Sequence, residues 1–303
     1  MKKNTFLIVL SYASVYIVWG TTYFFIRMSV ETMPPLFVLT FRWFIGGLFF
    51  IIYALFTDPE ASRSTKKEII NSLWLGLLLL FVSNGLVTLA EKKIDSYIAA
   101  LVLSITPLGV AFFDRVLWKK RISLISVFAM VVGFSGVGLL LYDFRSISGN
   151  LHAGILMILV AVASWSLGTS LGHRVLVPKS GILNSGIQMF GVGVCSFVLM
   201  LTLFPVNSHT LTIFSMRSWL GVGYLTVFGA LAFAGYTYLI KHEPAIRIVS
   251  YCFVNPVIAV LIGLLAGNEK AVSFLGMGIA MIFIGLFFTL YGDNILLRKR
   301  NIK

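Results

Sequence analysis

The chain alternates between long apolar stretches and short polar or charged segments. Each apolar stretch holds roughly 20 residues, which is the length that an α-helix needs to cross the hydrocarbon core of a bilayer. Apolar residues run on continuously within these stretches and do not alternate with polar ones, so the pattern predicts helices and not the strands of a β-barrel. We therefore predict an all-α integral membrane protein with ten transmembrane helices. The predicted spans are 6–28, 35–57, 69–90, 96–118, 123–142, 152–173, 181–204, 217–240, 245–266 and 272–292.

Composition excludes a soluble globular fold. Of the 303 residues, 58% are hydrophobic and only 12% are charged, whereas roughly 25% of the residues of a soluble domain are charged. The connections between the predicted spans are short and leave no room for a soluble domain. The net charge of +13 does not indicate a nucleic-acid partner, because the Lys and Arg residues are scattered between the apolar stretches. The expected partners are the lipid bilayer and a small-molecule substrate.

The distribution of Lys and Arg predicts the orientation in the membrane. Cytoplasmic loops are enriched in these residues, and most of them here fall on the side that carries both termini, such as Lys66, Lys67 and the cluster at 119–121. Both termini are therefore predicted to be cytoplasmic, in a multi-pass protein of the plasma or inner membrane. Each half of the chain then holds five spans, and because five is odd the halves 1–148 and 149–303 have opposite orientations.

A sequence match between the halves indicates inverted five-helix repeats. A shift of 149 residues places Thr106 and Pro107 onto Asn255 and Pro256. A proline in the middle of a transmembrane helix removes a backbone hydrogen bond and leaves a carbonyl group free. Pro107 and Pro256 are therefore predicted to kink the fourth and ninth helices at equivalent places, where such bends allow gating.

Arg42 is the only Lys or Arg that falls well inside a predicted span. A charge at that depth costs at least about 2.5 to 3.5 kcal/mol on insertion scales, so some other group must compensate it. Arg42 either binds a carboxylate or another anionic group of a substrate in a cavity, or it forms a buried link to helix carbonyls or an acid. The sequence leaves both interpretations open.

Aromatic side chains lie on one face of the predicted first helix. Tyr12, Tyr16, Trp19 and Tyr23 are spaced by four, three and four residues, which places their rings on one stripe. Trp19 lies too near the middle of the span for an interfacial ring, so the stripe indicates either a cavity wall or packing against other helices. Trp165 lies at the corresponding place in the second half, and the same two interpretations apply.

Asn84, Thr88 and Glu91 share a face of the third helix, at spacings of four and three. This face is interpreted as a polar cavity lining with a protonatable carboxylate at its mouth, so that Glu91 would couple transport to protons. The neighbouring charges at 92–95 favour a different interpretation, in which Glu91 is a surface residue of the following loop.

The predicted substrate site combines residues from both halves. Its members are Tyr16, Trp19, Thr22, Arg42, Asn84, Thr88, Trp165, Tyr251 and Asn255. No metal site or cofactor is expected, since the two cysteines lie apart inside apolar runs and the histidines lie at loops or span ends. A membrane-embedded enzyme would need clustered His, Asp or Glu within the spans, so this class is excluded as well.

Short motifs follow one another in a fixed order over nearly the whole chain, about 6–292. They are Val18-Trp-Gly-Thr-Thr-Tyr-Phe24, Phe41-Arg-Trp43, Ser96-Tyr-Ile-Ala-Ala-Leu101 through Thr106-Pro107, Tyr251 to Asn255-Pro256, and Gly267-Asn-Glu269. Together they resemble the EamA-type family of the drug/metabolite transporter superfamily. The resemblance implies a ten-helix bundle of two inverted repeats around a central cavity, acting as a secondary carrier and often as an exporter of amino acids or related metabolites. The chain departs from the family pattern at Lys119-Lys120-Arg121, where the first repeat of the family tends to have a Glu, as the second half has here in Glu269.

We therefore predict a secondary active transporter that exports small metabolites, such as amino acids or related zwitterionic or anionic solutes, by alternating access. The chain has no GxxxxGK[ST] motif for ATP, so transport is expected to use a coupling ion such as H⁺ or an exchange solute. The alternative is a passive channel or a non-transporting membrane receptor for a small molecule.

Overall fold

The computed structural model describes residues 2–120, 124–142, 149–203, 214–243, 248, 251–266 and 274–300. These residues form helices joined by short loops, and no β-strand occurs among them. The helices are α1 Lys2–Ser29, α2 Pro35–Thr57, α3 Lys66–Ala90, α4 Ser96–Trp118, α5 Leu124–Tyr142, α6 Gly149–Gly172, α7 Gly181–Leu203, α8 Met216–His242, α9 Tyr251–Ala266 and α10 Leu275–Arg300. The motif Gly267-Asn-Glu269 and Arg121 lie outside the described residues.

Seven of the described helices, namely α1 to α4 and α6 to α8, are long and apolar enough to cross a membrane. The all-helical membrane class predicted from the sequence is therefore confirmed. The count of ten spans and the side of the membrane that holds the termini stay predictions. α10 continues eight residues past its predicted end, to Arg300, because a helix does not have to end where the apolar stretch ends.

Local side-chain chemistry fixes where α3 and α8 begin. Before α3, the Thr65 hydroxyl accepts a hydrogen bond from the Glu68 backbone N–H at 3.3 Å, and a Glu68 carboxylate oxygen accepts one from the Thr65 N–H at 2.7 Å. This reciprocal pair is a capping box, which satisfies backbone donors that have no partner within the helix. At α8, the Ser215 hydroxyl accepts from the Ser218 N–H at 3.1 Å in the same way.

Two helices contain π-helical segments that the sequence did not predict. The segment in α3 is Leu77–Asn84, and the segment in α8 is Leu225–Gly229. A π-helical turn has i→i+5 hydrogen bonds and often marks a functional site inside a longer helix. Both segments end beside the side chain of Arg42, as described below.

Glycines allow two pairs of helices to pack with their backbones in contact. At Gly47 of α2, an added Cβ would overlap the backbone nitrogen of Phe190 in α7, and at Gly193 of α7 it would overlap that of Phe44. α5 and α10 approach in the same way, since a Cβ at Gly285 would lie 2.7 Å from the Ala129 carbonyl oxygen. The hydrophobic effect does not drive helices together in lipid. Small residues at helix crossings instead allow the close van der Waals packing that stabilises them.

The helix contacts follow a regular scheme. α1 packs against α8 and α9, while α6 packs against α3 and α4. The most extensive contact joins α2 to α7, followed by those that join α5 to α10 and α1 to α8. If each helix is exchanged with the helix five positions away along the chain, the two pairs of α1 map onto the two pairs of α6. The α2–α7 and α5–α10 pairs map onto themselves.

The α2–α7 contact generates a prediction about stability. We expect Gly47→Ala to lower the apparent unfolding temperature of the detergent-solubilised protein, because the new methyl group overlaps backbone atoms that cannot move away. Overpacking of this kind costs about 1–3 kcal/mol. The matched control is Gly223→Ala, where an added Cβ has nothing within 4 Å. Equal unfolding temperatures for the two variants would contradict the close backbone contact.

Candidate functional site

A small internal cavity lies among α1, α2, α3, α4, α6, α8 and α9 and has a volume of about 60 Å³. Its wall includes these members of the predicted site: Trp19, Thr22, Arg42, Asn84, Trp165 and Tyr251. A water molecule needs roughly 10–15 Å³ on this scale, so the cavity holds on the order of four waters. Ligand pockets are typically about 300–1,000 Å³. A metabolite therefore fits only if the wall of this central cavity moves.

Arg42 is 2% exposed and is the only charged residue among the described residues of the cavity wall. Its Nη1 donates a hydrogen bond to the Asn84 Oδ1 at 3.1 Å, and its Cζ lies 4.1 Å from the centre of the Trp43 ring. The Nε of Arg42 has no hydrogen-bond partner in the part of the chain that the structure describes. A neutral amide and one aromatic face compensate a buried guanidinium only in part.

Both π-helical segments converge on this guanidinium. Asn84 is the last residue of the segment in α3, and Gly229 is the last residue of the segment in α8. A Cβ at Gly229 would lie 3.1 Å from the Arg42 Nη2, so only a glycine leaves the full space for the side chain there. The irregular turns of two different helices thus position the groups that surround Arg42.

Glu91 is fully buried at the C-terminal end of α3. Its interpretation as a surface loop residue is therefore wrong, although Lys92 and Lys93 follow it directly. The backbone carbonyl of Glu91 accepts a hydrogen bond from the Arg27 guanidinium, which draws this end of α3 against α1. The Glu91 side chain does not line the central cavity, but it interacts electrostatically with Arg42 and Tyr23.

Four aromatic rings pack together at one end of the cavity, and we name them the aromatic cluster: Trp19, Trp165, Tyr236 and Tyr251. The Trp19 ring centre lies 5.4 Å from that of Trp165 and 5.1 Å from that of Tyr251, both edge to face. The Tyr236 ring lies 4.9 Å from Trp19, and its hydroxyl is 2.9 Å from the Thr169 hydroxyl. Edge-to-face pairs are the favourable geometry for such rings, so these contacts hold the cluster in place.

The remaining predicted site residues lie outside the cavity wall. The Thr88 hydroxyl donates to the backbone carbonyl of Asn84 at 2.8 Å. The Asn255 amide nitrogen, when turned toward α1, donates to the Tyr16 carbonyl at 3.1 Å and the Tyr251 carbonyl at 3.3 Å. The opposite orientation would place the amide oxygen against acceptors. Asn255 therefore links α9 to the backbone of α1, and the Tyr16 side chain is not part of the cavity wall.

The two prolines have different local structures. α4 is interrupted by a turn at Ser104–Ile105, directly before Thr106 and Pro107. The Leu103 carbonyl, which receives no N–H from Pro107, accepts a hydrogen bond from the Thr106 hydroxyl at 2.6 Å. Pro256 lies inside a helix that runs without interruption from Tyr251 to Ala266. The role of both prolines in gating stays a prediction.

The predicted substrate site left out several wall residues, although Tyr23 was part of the predicted aromatic stripe. They are Tyr23, Ile26, Trp43, Leu80, Ser83, Val87, Leu103, Thr106 and Phe233. Helical spacing contained the signal for some of them, because Trp19, Thr22, Tyr23 and Ile26 lie at i, i+3, i+4 and i+7. Nothing in the local sequence distinguishes Phe233 from the other apolar residues of α8.

Comparisons with known proteins identify the family of the chain. The model of the EamA-like transporter family matches residues 6–142 and again 152–291. An uncharacterized inner membrane transporter of Escherichia coli strain K12, YedA, is 34% identical over 277 residues, covering 90% of this chain and 88% of its own length. An uncharacterized transporter of Archaeoglobus fulgidus is 22% identical over 290 residues, covering 93% of this chain and 95% of its own.

A solved crystal structure shares the fold, with a TM-score of 0.65 and 18% sequence identity over 93% of this chain and 96% of the other chain. The inner-membrane relative and the seven long apolar helices place the protein in the cell membrane as a multi-pass protein. The family and the relatives indicate transport rather than catalysis. Since the family model covers both halves of the sequence, the chain belongs to the EamA-like transporter family, within the drug/metabolite transporter superfamily.

Proposed function

We propose that the protein is a secondary carrier that exports a small zwitterionic or anionic metabolite, such as an amino acid, by alternating access. The observation that carries this proposal is the buried guanidinium of Arg42 in the wall of the central cavity. Arg presents a planar fork of donors that matches a carboxylate, and a charge-assisted hydrogen bond is strongest where water is excluded. A substrate carboxylate would supply the charge that Asn84 and Trp43 do not.

The proposal includes two inverted five-helix repeats, 1–148 and 149–303, with both termini cytoplasmic. Three observations support the division into two repeats. The family model matches once in each half, the helix contacts map onto one another when the halves are exchanged, and each half carries a π-helical segment in its third helix. In carriers built from such repeats, one repeat rocks against the other around a site near the midplane.

Glu91 is proposed to carry the coupling proton. As a carboxylate, Glu91 attracts the same guanidinium that a substrate carboxylate would bind, since its side chain interacts electrostatically with Arg42. Protonation of Glu91 removes this competition and leaves the Arg42 charge to the substrate. Proton binding and substrate binding would therefore favour each other, which is the linkage that a proton-coupled carrier needs. An exchange solute that occupies the same cavity is the other proposed means of coupling.

The first experiment tests Arg42 as the substrate contact. We expect at least one member of a panel of amino acids, organic acids, amines and nucleosides to raise the unfolding temperature of the detergent-solubilised protein, and that compound carries a carboxylate. At one hundred times its Kd a ligand adds about 2.7 kcal/mol to the stability of the native state. Arg42→Gln should abolish the shift, and Arg42→Lys should retain a small part of it because the charge remains while the fork is lost.

The control is Arg27→Gln. Arg27 binds the Glu91 carbonyl and lies outside the wall of the central cavity. A stabilising ligand whose effect survives Arg42→Gln would show that Arg42 is structural.

The same ligand, reconstituted with the protein in liposomes, separates the classes of function. A carrier moves labelled solute faster when unlabelled solute is present on the opposite side of the membrane. A channel passes the solute at a rate that does not depend on solute on the opposite side, and a receptor does not move it.

The second experiment tests Glu91. In liposomes with an imposed pH gradient, we expect Glu91→Gln to abolish accumulation of the substrate but to leave exchange at equal pH intact, because Gln mimics the protonated carboxyl group and does not change its state. The control is Asp95→Asn, where the carboxylate is 32% exposed and lies 3.9 Å from Arg27. Gradient-driven accumulation at the wild-type level in Glu91→Gln would rule out the coupling role.

A further inference from the structure

A second cavity of about 330 Å³ lies among α3, α6, α7 and α8, outside the site described so far. We name it the Lys179 vestibule. Its polar lining consists of His173, Lys179, Asn184, Gln188, Thr237 and Lys241. It is several times larger than the central cavity and falls within the typical range for ligand pockets, about 300–1,000 Å³.

Gln188 belongs to the vestibule lining and carries a buried acceptor that has no donor among the described residues. Gln188 is 2% exposed, and its Nε2 donates to the Asn184 Oδ1 at 3.0 Å. The Ser72 hydroxyl donates to the same oxygen at 2.8 Å, so the Asn184 acceptor is already used. The Gln188 Oε1 is buried and has no hydrogen-bond partner within the described ranges. A buried polar atom in this state destabilises the protein, and a ligand with an N–H or O–H donor would recover the lost hydrogen bond.

The outer part of the vestibule is positively charged. Lys179 and Lys241 belong to its lining, and none of the described residues that line it is an Asp or a Glu. Lys241 donates to the backbone carbonyl of Lys179, which holds the two residues together. Glu60 lies 3.8 Å from the Lys179 Nζ and offsets part of that charge from outside the vestibule. An anionic group would therefore be attracted to this rim, while its polar tail reaches inward.

The vestibule and the central cavity are lined by neighbouring residues of the same helices. Leu79 and Gly168 line the vestibule, whereas Leu80 and Trp165, on the same two helices, line the central cavity. In α8, Tyr236 belongs to the aromatic cluster and the next residue, Thr237, lines the vestibule. The vestibule therefore lies next to the aromatic cluster and to the wall of the central cavity.

We propose that the Lys179 vestibule is a second binding site, which the transported solute occupies on its way to or from the central cavity. The solute places a carboxylate between Lys179 and Lys241 and donates an N–H or O–H hydrogen bond to the Gln188 Oε1. This inference rests on the proposed function and makes its substrate class more specific. The solute is a small carboxylate that also carries a donor group, such as an amino acid or a hydroxy acid.

The test uses a cysteine reporter inside the vestibule. Gly172 lines the vestibule, and a Cβ there has nothing within 4 Å, so Gly172→Cys fits without strain. The native Cys195 and Cys252 are first replaced by Ser and Ala. In the purified protein, we expect a negatively charged methanethiosulfonate to label the reporter faster than a positively charged one. L-serine, L-glutamate and lactate are the probes, and we expect at least one of them to slow labelling roughly twofold at a concentration equal to its Kd.

Two further variants identify the contacts in the reporter background. Gln188→Met keeps the length of the side chain but removes the Oε1, and it should abolish the protection. Lys179→Gln should abolish the protection as well, and because Lys179 is exposed this change does not disturb the fold. Gly223→Cys, also at a position with open space but outside the vestibule, is the control and should show no protection. Any one of three results would overturn the proposal: the reporter is not labelled, none of the three probes protects it, or the protection survives Gln188→Met.

The outcome is separable from that of the proposed function. Arg42→Gln should abolish transport while the protection of the vestibule reporter persists, because Arg42 does not line the vestibule. Loss of protection alone, with transport that depends on Arg42, would refute only the second site. Protection without any transport would leave the binding site in place and refute the carrier.

Discussion

The charge of Arg42 inside a membrane-crossing helix is the constraint on which the centre of the molecule depends. A guanidinium at that depth needs hydrogen-bond acceptors and a compensating charge, which lipid cannot supply. Asn84 supplies one acceptor, the Trp43 ring supplies an aromatic face, and Gly229 supplies space. Asn84 in α3 and Gly229 in α8 are each the last residue of a π-helical segment. Irregular backbone in these helices is explained by the need to surround this one charge.

Close backbone contact between α2 and α7 determines where that charge lies. Gly47 and Gly193 remove the side chains that would keep the helices apart, so α2 is fixed on one side along most of its length. Arg42 lies one turn away from Gly46, which itself packs on Ala230 of α8. The position of the guanidinium is therefore set by glycines that never contact it, and the surrounding helices have to adapt to α2.

The sequence predicted the features that depend on local chemistry, and it missed those that depend on long-range packing. Hydropathy was sufficient for the helices, and the cost of a buried charge was sufficient to select Arg42. Glu91 was ambiguous because its charged neighbours resemble a surface loop, and its burial depends on Arg27, which is 64 residues away. The π-helical segments and Gln188 had no local signature at all, since what distinguishes them is a partner, or the lack of one, on another helix.

The two ends of the bundle differ in what would have to break before a solute could pass. At one end, Arg27 binds the Glu91 carbonyl, Arg217 lies 3.3 Å from Glu31, and the Thr32 hydroxyl donates to Ser218 at 2.9 Å. These contacts tie α1 to α3 and α8, so opening there requires several polar interactions to separate together. At the other end, beside the Lys179 vestibule, the Tyr236 hydroxyl of α8 contacts the Thr169 hydroxyl of α6 at 2.9 Å, and the Thr237 hydroxyl of α8 contacts that of Ser185 in α7. Opening on that side would separate these hydroxyl pairs and rearrange the rings of the aromatic cluster. A carrier would therefore have to exchange different contacts at its two ends, which are bonds of arginine side chains at one end and hydroxyl pairs with ring packing at the other.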